Sequence, residues 1–178
     1  MTVDCPFDCE YLREARRHEK PPELGPDDVP HADIRVSDEF LRDNEPLVVH
    51  LGQLLLQAAV EAQGAVDSDV REALESMIKT LMTAESGLIY ETRPSNPYAA
   101  SVQVRVQAGI EQLRKQLSEQ SGVNTIRDKD VLGVLVFLQR LALHNNNGRR
   151  RCRAFLDFLY VTFPPPPPAE EPSGIITP

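Results

Sequence analysis

Side chains able to bind a metal are concentrated near the amino terminus, in the sequence C-P-F-D-C-E-Y-L-R-E-A-R-R-H. Cys5 and Cys9 are four residues apart, so in a helical turn their thiolates share one face and can bind a soft ion such as Zn²⁺. His18 follows nine residues after Cys9, which is about 13 Å along a straight helix and too far to share that ion. A zinc site at Cys5 and Cys9 is therefore a candidate that needs further ligands.

The same two thiols have two other interpretations. A cysteine at the start of a helix has a lowered pKa and could act as a redox sensor. Acidic neighbours oppose thiolate formation, however, and Asp4, Asp8 and Glu10 surround the pair. We favour the third interpretation, in which these cysteines pack as small apolar side chains at the start of a short helix. A small thiol or metal sensor remains the alternative.

A second candidate site is the basic cluster Arg149, Arg150, Arg151 and Arg153. The apolar pattern predicts a last helix over 149–163, which places these arginines at its amino-terminal end, where positive charge is unfavourable. An anion bound by guanidinium groups and free helix N–H groups would compensate, and it would also favour a Cys152 thiolate. The acidic first 46 residues, with 6 basic and 13 acidic side chains, could instead neutralise the cluster, and we favour this explanation.

Nucleic-acid binding through the same arginines is a further alternative. The whole chain has a net charge of −8, and an acidic protein repels a phosphate backbone at long range. This charge argues against nucleic acid as the partner.

Motifs of common catalytic sites are missing from the sequence. It contains no G-x-G-x-x-G, G-x-x-x-x-G-K-[ST], H-E-x-x-H or G-x-S-x-G. The residues three positions before His50 and His144 are Leu47 and Leu141, so the E-x-x-H pairs of a di-iron bundle are also missing. The sequence leaves enzymatic activity undecided and favours a protein that is not an enzyme, with no catalytic residue assigned.

The distribution of proline divides the chain into three parts. Of 15 prolines, five lie within residues 1–30 and seven follow residue 163, whereas only Pro94 and Pro97 lie between Leu47 and Phe163. Residues 1–36 are predicted to form a short helix and an extended arm, residues 37–163 a helical bundle, and residues 164–178 a polyproline and disordered tail.

The middle part shows helical spacing of apolar residues and clear capping signals. We predict an all-α fold: a bundle of about five helices with an irregular N-terminal arm and a disordered, proline-rich C-terminal tail. Ser37 and Asn96 are predicted N-caps, and Asp67 or Ser68 is expected to cap the second long helix. The most apolar helix covers residues 128–145 and should be central, packed on more than one side.

The compartment and the type of partner follow from composition. The longest apolar run has 8 residues, against about 20 for a membrane span, so no membrane interaction is expected. Three cysteines, an odd and low count, suggest reduced thiols in a cytoplasmic protein. Together with the arm and the tail, these features favour a protein–protein interaction or scaffolding module that binds another protein or itself.

Overall fold

The computed structural model describes residues 9–11, 14, 25, 28–88, 90–122, 126–149 and 151–164. These residues form six helices and contain no β-strand, so the predicted all-α class is confirmed. In chain order the helices are α1 (Asp38–Asp43), α2 (Glu45–Glu61), α3 (Asp67–Glu85), α4 (Pro97–Ser121), α5 (Asp128–His144) and α6 (Ala154–Thr162). Among the described segments, no helix is both long enough and apolar enough to cross a membrane.

Four of the helices pack in a ring. Going round it, α2 contacts α5, α5 contacts α3, α3 contacts α4, and α4 contacts α2. Helix α6 packs against both α2 and α3, and the short α1 packs against α2. The core lies between these helices and includes large side chains that are almost completely buried: Leu51, Leu55, Leu74, Ile78, Leu135, Leu138, Phe155 and Leu156.

Helix α5 is the most deeply buried helix, as its apolar sequence predicts. Ten of its 17 residues are buried, so its apolar side chains are covered by the neighbouring helices. Gly133 lets Phe40 pack directly on the α5 backbone, since a Cβ at this position would lie 2.5 Å from Phe40 Cζ. Burial on several sides makes α5 part of the scaffold.

The N-cap residue is the predicted one at two helix starts, and it is a different residue at a third. Ser37 Oγ accepts a hydrogen bond from Phe40 N at 3.2 Å, and Asn96 Oδ1 accepts one from Tyr98 N at 2.9 Å. At α3, however, neither Asp67 nor Ser68 is the N-cap, which is Val66. The carboxylate of Asp69 reaches back to accept a hydrogen bond from Val66 N at 2.9 Å.

The end of the N-terminal arm is held against the bundle by Arg140 of α5. Its guanidinium donates hydrogen bonds to the carbonyl oxygens of His31 at 2.7 Å, Ile34 at 2.9 Å and Pro30 at 3.2 Å. His31 has a positive φ of 50°, and its Nε2 lies 2.9 Å from Glu75 Oε2 on α3. The arm is therefore fixed by polar contacts to both α3 and α5.

Candidate functional site

The predicted metal site is only partly within the described residues. Cys5 lies outside them, whereas Cys9 is half-buried and has a free thiol. Among the residues that the structure does describe, no three histidine, cysteine or acidic side chains come together as metal ligands. Zinc binding at Cys5 and Cys9 therefore stays a prediction.

The arginine cluster precedes the last helix, so the predicted start at residue 149 is wrong. Helix α6 begins at Ala154 with Arg153 as its N-cap, and the exposed Arg149 and Arg151 lie in the preceding loop. Arg150 lies outside the described residues. Because Arg149 and Arg151 precede the helix instead of lying in its first turn, their unfavourable interaction with its dipole is weaker than expected, whereas Arg153 lies at the N-cap.

The amino-terminal end of α6 binds a carboxylate of this chain. Asp67 is fully buried, and its two oxygens accept hydrogen bonds from Phe155 N at 3.0 Å and Leu156 N at 3.2 Å. These are the helix N–H groups that an external anion would have used. An anion at the arginine cluster would have to bind without them, and this site stays a prediction.

Cys152 is next to this carboxylate and is buried. Burial raises the pKa of its thiol, and the nearby charge of Asp67 raises it further, although backbone hydrogen bonds from Ala154 and Asn147 act in the opposite direction. The expectation that the arginine cluster favours a Cys152 thiolate is therefore wrong. The neutral thiol packs at the start of α6 and is a poor nucleophile.

A cleft of about 480 Å³ opens beside this end of the bundle, with Ser68, Asp69, Asn96, Tyr98 and Arg151 among its lining residues. Arg151 supplies the positive charge among these lining residues. Both oxygens of Asp69 are already used, one by Val66 N and the other by Asn96 Nδ2 at 2.6 Å. The cleft therefore combines a basic with an acidic side chain and does not have the charge of a strong anion site.

An apolar cleft of about 320 Å³ lies between α2, α4 and α5 and contains His50. Burial lowers the pKa of His50, which favours the neutral imidazole. Two acidic residues, Asp43 and Asp130, also line this cleft, and neither forms a hydrogen bond or ion pair with His50 within the described residues; Asp130 is held by Arg127 at 2.7 Å. His50 is therefore a histidine at an apolar boundary, with no acid–base partner in this lining.

The most distinctive polar arrangement joins α3 to the segment that follows it, residues 90–96. Ser76 Oγ donates a hydrogen bond to the carbonyl of Thr92 at 2.7 Å, and Thr80 Oγ1 accepts one from Thr92 N at 3.0 Å. Thr83 Oγ1 donates within its own helix, to the carbonyl of Lys79 at 2.7 Å, and lies 3.3 Å from the carbonyl oxygen of Tyr90. The buried Gln103 of α4 also donates to the carbonyl of Thr92, at 3.0 Å. Helix side chains thus take the place of a neighbouring β-strand.

Carboxylates continue the same row of contacts toward the start of α3. Glu72 Oε1 accepts hydrogen bonds from Ser95 N at 3.1 Å and from Asn96 N at 3.4 Å. Asp69 Oδ1 accepts one from Asn96 Nδ2 at 2.6 Å. The segment therefore runs antiparallel to α3 and is bound along most of the helix.

The length of the α3 face agrees with the length of the segment that is bound to it. The α3 side chains that bind the segment lie at positions 69, 72, 76, 80 and 83, a spacing of three or four residues that forms one helix face. The 14 residues from Asp69 to Thr83 rise about 21 Å along the helix, and six residues from Tyr90 to Asn96 reach about 20 Å when extended. Residues 90–94 contain no helix, turn or bend, which fits an extended backbone, whereas the chain bends at Ser95 and Asn96.

The side of this segment that faces away from α3 is open. Leu88 and Tyr90 are 63% and 69% exposed, respectively. The backbone groups of Glu91 and Arg93 form no hydrogen bond within the described part of the chain, and their side chains pair with each other at 2.8 Å. Extended backbone with unpaired N–H and C=O groups and exposed apolar side chains is the usual template for pairing with another chain.

Sequence reasoning did not identify this site. In the sequence, residues 88–97 are only a connection between two predicted helices. A readable signal was present on α3, because hydroxyl and carboxylate side chains at positions 69, 72, 76, 80 and 83 form a second, polar face beside the apolar one. The partner of that face is a tertiary contact, which the helical pattern alone does not specify.

Comparison with known proteins gives no relative from which a role can be transferred. No protein-family model matches the chain, and no significant match occurs among curated proteins or solved structures.

Proposed function

We propose that this chain is a non-enzymatic interaction module that binds another protein through Leu88 and the segment 90–96. The observation that carries the proposal is the open side of this segment, where apolar side chains are exposed beside unpaired backbone groups. A partner strand could satisfy those backbone groups and cover Leu88 and Tyr90 at the same time.

Rigid attachment of the segment to the bundle supports this role. Binding is weakened when a flexible loop must first become ordered, and each immobilised side chain adds to that cost. Here the backbone of Thr92 is already fixed by Ser76, Thr80 and Gln103. The binding surface is therefore formed before a partner arrives.

The start of the proline-rich tail offers a second point of attachment for a partner. Phe163 is buried against the backbone of Gly52, where a Cβ would lie 2.5 Å from its ring. Gln53 Nε2 donates a hydrogen bond to the carbonyl of Pro164 at 2.8 Å. Five consecutive prolines begin at this anchored residue, and such a run has the polyproline sequence that aromatic grooves bind.

The cytoplasm is the compartment we propose for this interaction. Cys9 and Cys152 are both free thiols, and thiols persist where glutathione and thioredoxin keep proteins reduced. Cellular fractionation with an antibody against the chain tests this assignment. Recovery from the cytoplasmic fraction is expected, and recovery only from an oxidising compartment contradicts it.

The test of the binding surface compares two double variants of matched exposure. Leu88→Ser/Tyr90→Ser removes the apolar groups of the segment, whereas Val104→Ser/Val161→Ser removes two side chains that are 65% and 70% exposed on α4 and α6. The tagged full chain is used to capture partners from extracts of its source cells. We expect the first variant to reduce capture of a specific partner about tenfold, because it buries less apolar surface against that partner. We expect the control to capture it normally. Equal capture by the two variants would overturn the proposed function.

A further inference from the structure

The backbone of residues 90–93 has two distinct sides. Thr92 directs its C=O to Ser76 and its N–H to Thr80 on α3. The carbonyl oxygen of Tyr90 also faces α3, 3.3 Å from Thr83 Oγ1. In an extended chain, successive residues direct their N–H and C=O groups to opposite sides. The backbone groups of Glu91 and Arg93 therefore point away from α3 and form an edge with no partner in the described residues, which we call the outer edge.

Pro94 does not interrupt the outer edge. A proline normally removes one hydrogen-bond donor from a strand and so limits its pairing. By the same alternation, however, residue 94 belongs with Tyr90 and Thr92, whose backbone groups face the bundle. The N–H group that proline lacks is therefore missing from the side that faces α3. The backbone N–H and C=O groups of Glu91 and Arg93 stay available for pairing on the outer edge.

The charges on the outer edge are self-complementary. When two copies of an extended segment pair antiparallel around Thr92, Glu91 of each copy lies opposite Arg93 of the other. Opposite charges in such directly facing positions stabilise a strand pair, and like charges destabilise it. Pairing centred on Glu91 or on Arg93 would instead place identical charges opposite each other, so charge selects the register around Thr92.

The same register brings apolar groups together. Tyr90 of one copy lies opposite Pro94 of the other, and 69% of Tyr90 is exposed in the single chain. Pairing would cover this aromatic ring and satisfy the backbone groups of Glu91 and Arg93, which would exchange hydrogen bonds across the twofold axis.

We propose that the partner of the outer edge is a second copy of this chain, paired antiparallel around Thr92 with Glu91 opposite Arg93 in both halves. This inference rests on the interaction function proposed above, and it names both the partner and the register.

Charge reversal and charge exchange test the register directly. The self-association of the full chain is measured by sedimentation equilibrium for the wild type, Glu91→Arg, Arg93→Glu and Glu91→Arg/Arg93→Glu. Each single change replaces two opposite-charge pairs by two like-charge pairs, so we expect the dimer to weaken about tenfold or more. The double change restores opposite charges, so its dimer should be within about threefold of the wild type.

Mixing the two single variants provides a second readout. Glu91→Arg presents two arginines and Arg93→Glu presents two glutamates, so the mixture should form a dimer although each variant alone associates weakly. The matched control reverses the exposed pair Lys115 and Glu119 on α4, as Lys115→Glu/Glu119→Lys, and should leave the dimer unchanged.

The results that overturn this inference are distinct from those that overturn the proposed function. A wild-type chain that stays monomeric, or a dimer that does not respond to the charge changes, overturns the pairing of two copies. If such a chain still captures another protein through Leu88 and Tyr90, the proposed function stands. If it is monomeric and the Leu88→Ser/Tyr90→Ser variant captures partners normally, both proposals fail.

Discussion

Ser76 and Thr92 are joined by a hydrogen bond of 2.7 Å, in which a helix hydroxyl donates to the carbonyl of an extended segment. The same residue of that segment donates its N–H to Thr80 Oγ1 at 3.0 Å. Such paired contacts normally occur between neighbouring β-strands. In this all-α protein they hold residues 90–94 in an extended conformation with one side open.

Loss of the Thr80 hydroxyl should loosen the segment without removing core volume. In Thr80→Val the N–H of Thr92 has no acceptor, so we expect its hydrogen exchange to become about fivefold faster, in proportion to a hydrogen bond of about 1 kcal/mol. Exchange of this amide is measured by nuclear magnetic resonance. Thr162→Val, which changes an exposed threonine of α6, is the control and should have no such effect. Unchanged exchange at Thr92 would show that side chains of α3 do not hold the segment.

Asp67 should contribute less to stability as the pH rises. Burial raises the pKa of Asp67 above its usual 3.8, although hydrogen bonds from Phe155, Cys152 and Leu156 oppose this. The raised pKa means that the folded protein prefers the protonated Asp67 carboxyl. The contribution of Asp67 to the free energy of unfolding is therefore complete below pH 3.8 and is lost as the pH rises through the pKa of the folded state. Asp67→Asn should therefore cost about 1–3 kcal/mol at pH 4 and less at pH 7.

Urea denaturation of the wild type and Asp67→Asn at both pH values measures this difference. Subtracting the two free energies of unfolding removes the contribution of other titrating groups. The exposed Asp33, changed to Asn, serves as the control and should show no such trend. A cost that grows from pH 4 to pH 7 would mean that the buried charged carboxylate, rather than the neutral one, stabilises α6.

Glu75 should show the opposite dependence on pH. Burial acts to raise its pKa, but hydrogen bonds from His31, Gln139 and Lys79 prevail and lower it from 4.5 to about 2. A lowered pKa gives a stabilising contribution that is present above pH 4.5 and is lost as the pH falls toward 2. Since the carboxylate is one-third exposed and screened by solvent, Glu75→Gln should cost only about 1 kcal/mol at pH 7.

The cost of Glu75→Gln is measured by urea denaturation at pH 7 and pH 3 and should be smaller at pH 3. Exchange of the Ile34 amide, which donates to the His31 carbonyl at 3.0 Å, should also become faster in the variant, because Glu75 helps to hold the end of the arm. A cost that is equal at both pH values would contradict an ionised Glu75 as the anchor.

Much of the fold could be predicted from the sequence because its signals are local. Asn96 followed by Pro97 predicts the start of α4, and Gly122 predicts its end, where it adopts a φ of 72° that favours glycine. The run from Val131 to Ala142 likewise predicts a buried helix, and the structure confirms it.

The start of the last helix could not be predicted in the same way. Arginine is a good helix former, so nothing in the sequence from Arg149 onward indicates that the helix begins only at Ala154. The carboxylate that receives the first N–H groups of α6 belongs to Asp67, 88 residues before Phe155. A cap supplied from another helix has no local signal.

The candidate site also depends on contacts between distant residues. The polar face of α3 could be read from its spacing, but the segment that binds to it is irregular and offers no periodic pattern. The predicted sites at Cys5 and Cys9 and at the arginines were chosen by residue type, and residue type does not disclose the unpaired backbone of Glu91 and Arg93.

The most direct test of the central claim is photo-crosslinking from within the segment. Tyr90, or Val104 as the control, is replaced by a photoreactive phenylalanine derivative in the full chain, and the sample is irradiated in cell extract. We expect a specific protein crosslink from position 90, with a second copy of the chain among the products, and none from position 104. Equal crosslinking from both positions, or crosslinking from position 104 alone, would contradict binding through the segment held on α3.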